Sequence, residues 1–232
     1  MEQRQRTAGK RMKRSDAGGD LVWLTGHAQE IERAFQQRSV RVYRHEDAPL
    51  CLLDAGSDRR FLADLTPGAG GIRSFRDDIG DEWKPWGGRR TEGARCPRVS
   101  VRGGDRVLVL ELHWNSRVGD RLRTDLVLEL GGRQTNALLV VADDQKHGEI
   151  VDVLRPVSGK VNRVRELLPG RQYAPPPTFD RMSAADSWEW SGLEGLTVEK
   201  SLTGRFLAMS VLWAQELCHR AVSYTHLRAH ET

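Results

Sequence analysis

Six arginines, Arg89, Arg90, Arg95, Arg98, Arg102 and Arg106, fall in a stretch whose only acids are Glu92 and Asp105. An arginine presents a planar fork of donors that takes a phosphate in bidentate fashion, whereas a lysine offers a point charge. The local excess of +4 equals that of the whole 232-residue chain, in which 36 Lys and Arg face 32 Asp and Glu. Residues 89–106 are therefore the strongest candidate for phosphate binding. Only six of the cations are Lys. A GC-rich coding sequence would produce that bias by itself, so clustering rather than number points to nucleic acid.

Within the cluster, Asp105-Arg106 follows Gly103-Gly104, a turn that sets both side chains at the mouth of a hairpin. Taken alone, the pair reads as an acid in a turn beside a solvated arginine. Downstream, Glu129, Leu130 and Gly131 close an apolar run, and Arg133 and Asn136 open the next. A tight hairpin with positive φ at Gly131-Gly132 and Asn136 bonded to backbone accounts for them. Arg163, Arg165 and Arg171 around Leu168-Pro169-Gly170 are additional phosphate contacts, and Tyr173 is placed to cap a sheet edge. Of the seven Trp, Trp83 and Trp86 in a polar loop are the candidates for exposed base stacking, and the others belong in a core.

Catalysis finds no constellation. There is no HExxH, GxSxG, kinase or NTPase signature, and His27, His45, His113, His147 and His219 are scattered. Pro67-Gly68-Ala69-Gly70-Gly71 lacks the Lys-Ser/Thr of a phosphate loop and reads as a plain turn. Cys51, Cys96 and Cys218 are odd in number and far apart, which fits reduced thiols and neither a disulfide framework nor a metal site. No catalytic residue, metal, cofactor or small-molecule substrate is expected.

The elements that must position these residues follow from periodicity. With 38% hydrophobic residues and 23 Gly, the chain can bury a core. No apolar run approaches the ~20 residues that span a bilayer, and the basic start lacks an apolar signal segment, so a cytoplasmic protein without membrane contact is expected. Residues 1–19 read as a disordered basic arm. From Asp20, a plausible N-cap, Leu21, Leu24, Ala28, Ile31 and Phe35 recur at helical spacing. Short strands are expected at 40–43, 50–53 and 60–63, irregular chain over 65–97, and longer strands at 107–114, 125–130, 137–142 and 149–157. Pro175-Pro176-Pro177 marks a domain exit, 178–197 a polar linker, and 198–221 a return to helical spacing with a break near Gly204. The last ten residues, 223–232, read as translated sequencing adapter, which discounts His226 and His230 as metal ligands and makes the chain a C-terminally truncated fragment.

Three stretches resemble the N-terminal domain of the NFACT family of ribosome-associated quality-control factors. Asn162 through Pro176 is similar to its R-x-x-LPG-x-x-Y-x-x-PP segment. Leu128 through Val140 resembles its E-l-m-G-r-x-s-N-x-i-L-v hairpin, with Gly131 in place of the usual Met. Glu92-Gly93 followed by Asp105-Arg106 and an apolar strand matches in spacing. Together they cover residues 89–177, and Ala208–Ala221 resembles the start of the family's helix-hairpin-helix middle region, assigned here to 198–222.

The resemblance implies an α+β fold for 20–177: an N-terminal helix plus an antiparallel β-sandwich like the N-terminal domain of formamidopyrimidine-DNA glycosylases, followed by a C-terminal helix. It implies that Asp105 and Arg106, with Asp20 near the family's early Asp, engage tRNA. It further implies that Glu129, Leu130, Gly131, Arg133 and Asn136 contact the large ribosomal subunit, Arg133 as an rRNA phosphate ligand. The partners would be an obstructed large subunit, peptidyl-tRNA and alanyl-tRNA, in support of alanine tailing of stalled chains. Glycosylase chemistry is disfavoured because Met1-Glu2-Gln3 lacks that family's N-terminal Pro. The alternative is a general nucleic-acid-binding module on the same sandwich. A surface adhesin, suggested by the family's older fibronectin-binding name, conflicts with the want of a secretion signal.

Overall fold

A computed structural model describes residues 21–36, 38–56, 58–68, 70–102, 106–131, 134–142, 148–177, 195–206, 209 and 211–229, the side chains of 21, 22 and 222–229 excepted. The expected first helix is present as α1 (Leu21–Phe35), and its apolar stripe of Leu24, Ala28, Ile31 and Phe35 is buried. Ten strands follow: β1 (Ser39–His45), β2 (Leu50–Asp54), β3 (Arg60–Asp64), β4 (Gly71–Ser74), β5 (Trp83–Pro85), β6 (Ala94–Arg102), β7 (Val107–Asn115), β8 (Arg121–Glu129), β9 (Asn136–Val141) and β10 (Ile150–Val153). A 3-10 turn, Gly88–Arg90, separates β5 from β6, and two helices, α2 (Val198–Arg205) and α3 (Val211–Ala229), close the described chain.

All neighbouring strands run antiparallel in one continuous sheet, ordered β10-β9-β8-β7-β6-β1-β2-β3-β4, with β5 also on β1. The two expected meanders are therefore joined through β1, whose start pairs with β6 and whose end pairs with β5. They close on each other because both contribute their apolar faces to one core. Leu53, Phe61, Leu65 and Ile72 from the first half share it with Leu108, Leu110, Leu126 and Leu128 from the second and with the α1 stripe. Polar ties cross the same seam: Thr135 Oγ1 donates to the Leu65 carbonyl at 2.5 Å, and Trp86 Nε1 donates to Asp152 at 2.9 Å.

Where β1 leaves β6, the open edge of β6 is covered by α1. The Val99 amide donates to the Glu32 carboxylate at 2.7 Å, which satisfies a backbone donor that no strand reaches. Residues 65–97, expected to be irregular, contain β4, β5 and the first part of β6. Trp83 and Trp86 are not exposed stackers: they are 7% and 3% exposed. Trp83 packs edge-on against Phe75 and His45, and Trp86 faces the core with its indole N–H satisfied by Asp152. The last expected strand, 149–157, shortens to β10, flanked by isolated bridges between Glu149 and Gln172 and between Val157 and Leu167.

The C-terminal helical stretch is interrupted between Arg205 and Val211, close to the expected break at Gly204. Thr197 caps α2 by accepting from the Lys200 amide. The 1–19 arm, most of the 178–197 linker and the last three residues of the 223–232 tail lie outside the described residues.

Candidate nucleic-acid interface

Strand register brings the two implied RNA-contact groups to one end of the sheet. Arg102 pairs with Val107, Val107 with Glu129, and Glu129 with Asn136, so these residues form a single cross-strand row. Arg106 stands one residue outside that row, half-buried, and its carbonyl accepts the Leu130 amide at 2.8 Å. Positions far apart in sequence thus meet where the β6–β7 and β8–β9 turns emerge. Asp20, Asp105 and Arg133 lie outside the described residues.

The β8–β9 turn is gripped from three directions. Asn136 is 1% exposed, and its side chain donates to the Arg155 carbonyl at 2.7 Å and accepts the Arg155 and Ala137 amides at 3.0 Å. Arg155 donates to the Thr135 carbonyl and hydroxyl, and burial lowers the pKa of its guanidinium. Gln134 Oε1 accepts from the Asn162 amide group at 2.8 Å. Leu130 is a core residue at 1% exposure. The side chains of Leu130 and Asn136 therefore hold the hairpin, while Gly131 and Gln134 are the described positions open to a partner.

Glu129 is the centre of a lock that the sequence does not announce. It is 2% exposed and forms an ion pair with Arg165, itself 4% exposed, whose Nε also donates to the Ala174 carbonyl at 2.6 Å. The Tyr173 hydroxyl donates to the same Glu129 oxygen at 2.9 Å, and the Arg165 guanidinium lies 5.8 Å from the Tyr173 ring centre. Burial, then the charge of Glu129, pushes the Tyr173 phenol well above its usual pKa, so it remains a donor. Arg165 is thus no phosphate contact, because its charge is consumed inside the fold. Arg163 is exposed beside it, and Arg171 is exposed but paired with Glu166 at 3.3 Å.

The arginine cluster of residues 89–106 resolves into a line rather than a spot. At about 3.3 Å per residue, Arg95 and Arg102 stand roughly 20 Å apart along β6. Arg89 and Arg90 lie beyond Arg95, Arg90 stacked 5.2 Å from the Trp114 ring centre. Register between β6 and β7 jumps from Arg95 opposite His113 to Arg98 opposite Glu111, a bulge that takes up one extra residue. It puts Arg95, Arg98 and Arg102 on one face, away from the α1-covered core.

Arg121 and Arg123 of β8, absent from the sequence expectations, share that face. Asp125 accepts from Arg102 at 3.2 Å and Arg123 at 3.0 Å, and Glu111 pairs with Arg123 at 3.3 Å. Burial opposes the charge of Arg123, but the hydrogen bond and charge of Asp125, with Glu111, outweigh it and raise its pKa. The alternation Arg121-Leu122-Arg123-Thr124-Asp125 is the signal that could have found them. Among the described residues, no three His, Cys, Asp or Glu side chains come together as a metal site, and no helix is long and apolar enough to cross a membrane. The buried thiols of Cys51 and Cys96 are pushed up to about 12 by desolvation.

Known proteins carry the same fold. The N-terminal domain of the fibronectin-binding protein PavA from Streptococcus pneumoniae superposes with a TM-score of 0.74 at 21% identity, covering 91% of this chain and 86% of that one. The N-terminal part of the fibronectin/fibrinogen-binding protein of Streptococcus suis gives 0.70 at 18% identity, covering 84% and 78%. These likenesses establish the fold. In sequence, the Rqc2 homolog RqcH of Bacillus subtilis (strain 168) is 29% identical over 138 residues, 57% of this chain but only 24% of the relative. The Rqc2 homolog RqcH of Streptococcus pneumoniae serotype 2 is 28% identical over 92 residues, 40% of this chain and 16% of the relative. The family model for NFACT N-terminal and middle domains matches residues 89–232, from the arginine-rich strand through both C-terminal helices. With more than half its length under that model, the chain belongs to the family of NFACT N-terminal and middle domains.

Proposed function

We propose that this chain is the RNA-binding front of a ribosome quality-control factor. In this role it docks on an obstructed large ribosomal subunit carrying peptidyl-tRNA and recruits tRNA, chiefly alanyl, for alanine tailing of the stalled chain. One observation carries the proposal: the register row Arg102–Val107–Glu129–Asn136 puts Arg106 and the β8–β9 turn at one sheet end, where a single RNA assembly reaches both. Arg106 would fork onto a phosphate or base edge, and Asp105 would orient that fork or accept from a ribose 2′-hydroxyl. The β8–β9 turn, with Arg133, would take rRNA phosphate. The protein acts by positioning, with peptide-bond chemistry left to the ribosome, and works in the cytoplasm. Homology to proteins named RqcH supports this role.

The test is co-sedimentation of the chain with large subunits, followed by sequencing of bound RNA. Enrichment of tRNA that disappears in Asp105→Ala/Arg106→Ala is the expected result. No enrichment, or binding indifferent to the double substitution, refutes it. A second reading has its own support in the arginine-lined outer face, which attracts any polyanion: a general nucleic-acid module that kept a glycosylase-like sandwich without its chemistry. It predicts bound RNA without tRNA preference.

A further inference from the structure

We propose that the outer face of β6–β8 is a second RNA surface, one that tracks the phosphate backbone of an A-form duplex; it rests on the RNA-binding reading above. Arg95, Arg98 and Arg121 are exposed there, and none has a carboxylate within ion-pair distance among the described residues. Arg102 and Arg123 share the face, and Asp125, 5% exposed at its side chain, fixes both guanidinium groups while leaving each with further N–H donors. Five arginines thus face two carboxylates, Asp125 and Glu111. The bulge between Arg95 and Arg98 is what aligns the β6 arginines, since strict alternation would put these two on opposite faces.

The shape and chemistry select the ligand. Three strands at about 4.8 Å spacing and some seven residues of β6 at about 3.3 Å frame a face roughly 10 Å by 20 Å, its Val107, Val109 and Val127 corner covered by the segment that carries Ile150, Val153 and Leu167. The exposed and half-buried strand positions on it, Arg95, Arg98, Ser100, Arg102, Glu111, His113, Asn115, Arg121 and Arg123, include no Phe, Tyr or Trp. Single strands are held by stacking bases on aromatic rings, and the ring that reaches this face, Tyr173, is half-buried and already held by Glu129 and Arg165. A duplex offers phosphates and 2′-hydroxyls on a broad surface, which an array of forks can engage without reading sequence.

The experiment measures anisotropy of a fluorescein-labelled RNA duplex of about 20 base pairs, and of one of its single strands, between about 50 and 200 mM KCl. The wild-type chain should bind the duplex more tightly than the strand. In Arg95→Ala/Arg98→Ala/Arg121→Ala the slope of log affinity on log salt should become shallower by about 3, with duplex affinity at least about tenfold weaker near 100 mM. The same substitutions to Gln, which keep more of the stems, should behave alike, and unchanged melting of either variant excludes misfolding. Arg44→Ala/Arg59→Ala/Arg76→Ala removes equal charge from exposed positions on the other half of the sheet and should leave the slope nearly unchanged. Equal loss in the two triple variants, an unchanged slope in the first, or a single strand bound as tightly as the duplex overturns the proposal. Co-sedimentation with large subunits without duplex binding sinks this surface alone. Duplex binding without co-sedimentation sinks the ribosomal reading alone.

Discussion

Replacing Arg165 with alanine strands the charge of Glu129 inside the protein. The two side chains are 4% and 2% exposed, so neither can turn to water when its partner is lost. Deleting one member of such a pair costs about 3–5 kcal/mol, because an uncompensated charge stays buried. At about 2–4 °C per kcal/mol for a chain of this size, Tm should fall by roughly 6–20 °C. The energy belongs to desolvation and not to the contact as such, which a compensated variant reveals. In Glu129→Met/Arg165→Met/Tyr173→Phe, the carboxylate, the guanidinium and the hydroxyl that donates to the carboxylate are removed together. Apolar replacement of a whole buried network is often neutral or stabilising, so this triple should lie within about 1 kcal/mol of wild type or above it. Urea and thermal unfolding followed by circular dichroism read both. If Arg165→Ala costs under about 1 kcal/mol, the pair is hydrated and the lock does not exist. If the triple variant is as unstable as the single one, side-chain volume rather than charge holds the segment.

Three further outcomes follow from the same geometry. Tyr173 resists ionisation in the folded chain, whereas in the unfolded chain it titrates near 10.0, so its contribution is complete below pH 10 and is lost as pH rises above it. The urea midpoint should fall above pH 10 in wild type and fall less steeply in Tyr173→Phe; parallel decline in both refutes the assignment. Alanine at Gly70 would set a Cβ 2.5 Å from Thr135 Cγ2 and 2.7 Å from the Leu130 carbonyl, costing about 1–3 kcal/mol in urea unfolding. Gly26→Ala in α1 meets nothing within 4 Å and should gain about 0.5–1 kcal/mol; equal effects at the two sites would show that the seam is loose. Asn136→Asp keeps the acceptor for the Arg155 amide but loses the donor to its carbonyl, a loss of about 1–3 kcal/mol in the same assay. Unchanged stability with weakened RNA binding would instead make Asn136 a contact residue.

Much of the frame is legible from periodicity. The α1 stripe, the three short strands of the first meander and the apolar runs of β7, β8 and β9 all announce themselves, because α1 buries one apolar stripe and the long strands bury both faces, Leu108, Leu126 and Leu139 on one and Val109, Val127 and Leu138 on the other. β6 does not. Its bulge makes Pro97 and Arg98 consecutive exposed residues, so the alternation that marks a strand is broken at its middle. β4 and β5, at four and three residues, are too short for any period to register. Trp83 and Trp86 look solvated because their neighbours in sequence are polar, yet their burial comes from Phe75, His45 and Asp152, which only the closure of the sheet brings near.

The arginines divide along the same line between local and distant causes. Composition identifies them as one cluster, but each is committed by partners that sequence distance hides. Arg165 lies inside the LPG segment and looks as free as Arg163, yet the carboxylate that consumes it is 36 residues upstream. Arg102 is tied to Asp125 on a strand that is not its neighbour, while Arg95 and Arg98 on the same strand pair with no carboxylate among the described residues. The distinction bears on the proposed function because a hairpin that is to contact RNA through Gln134 needs a fixed direction. That direction is set by Glu129 at its base, and through Glu129 by Arg165 and Tyr173. The hairpin and the LPG segment, two separate signatures in the chain, are therefore one mechanical unit: losing the buried arginine should disturb RNA contact by releasing the hairpin, whereas losing an exposed one should weaken contact with the fold intact.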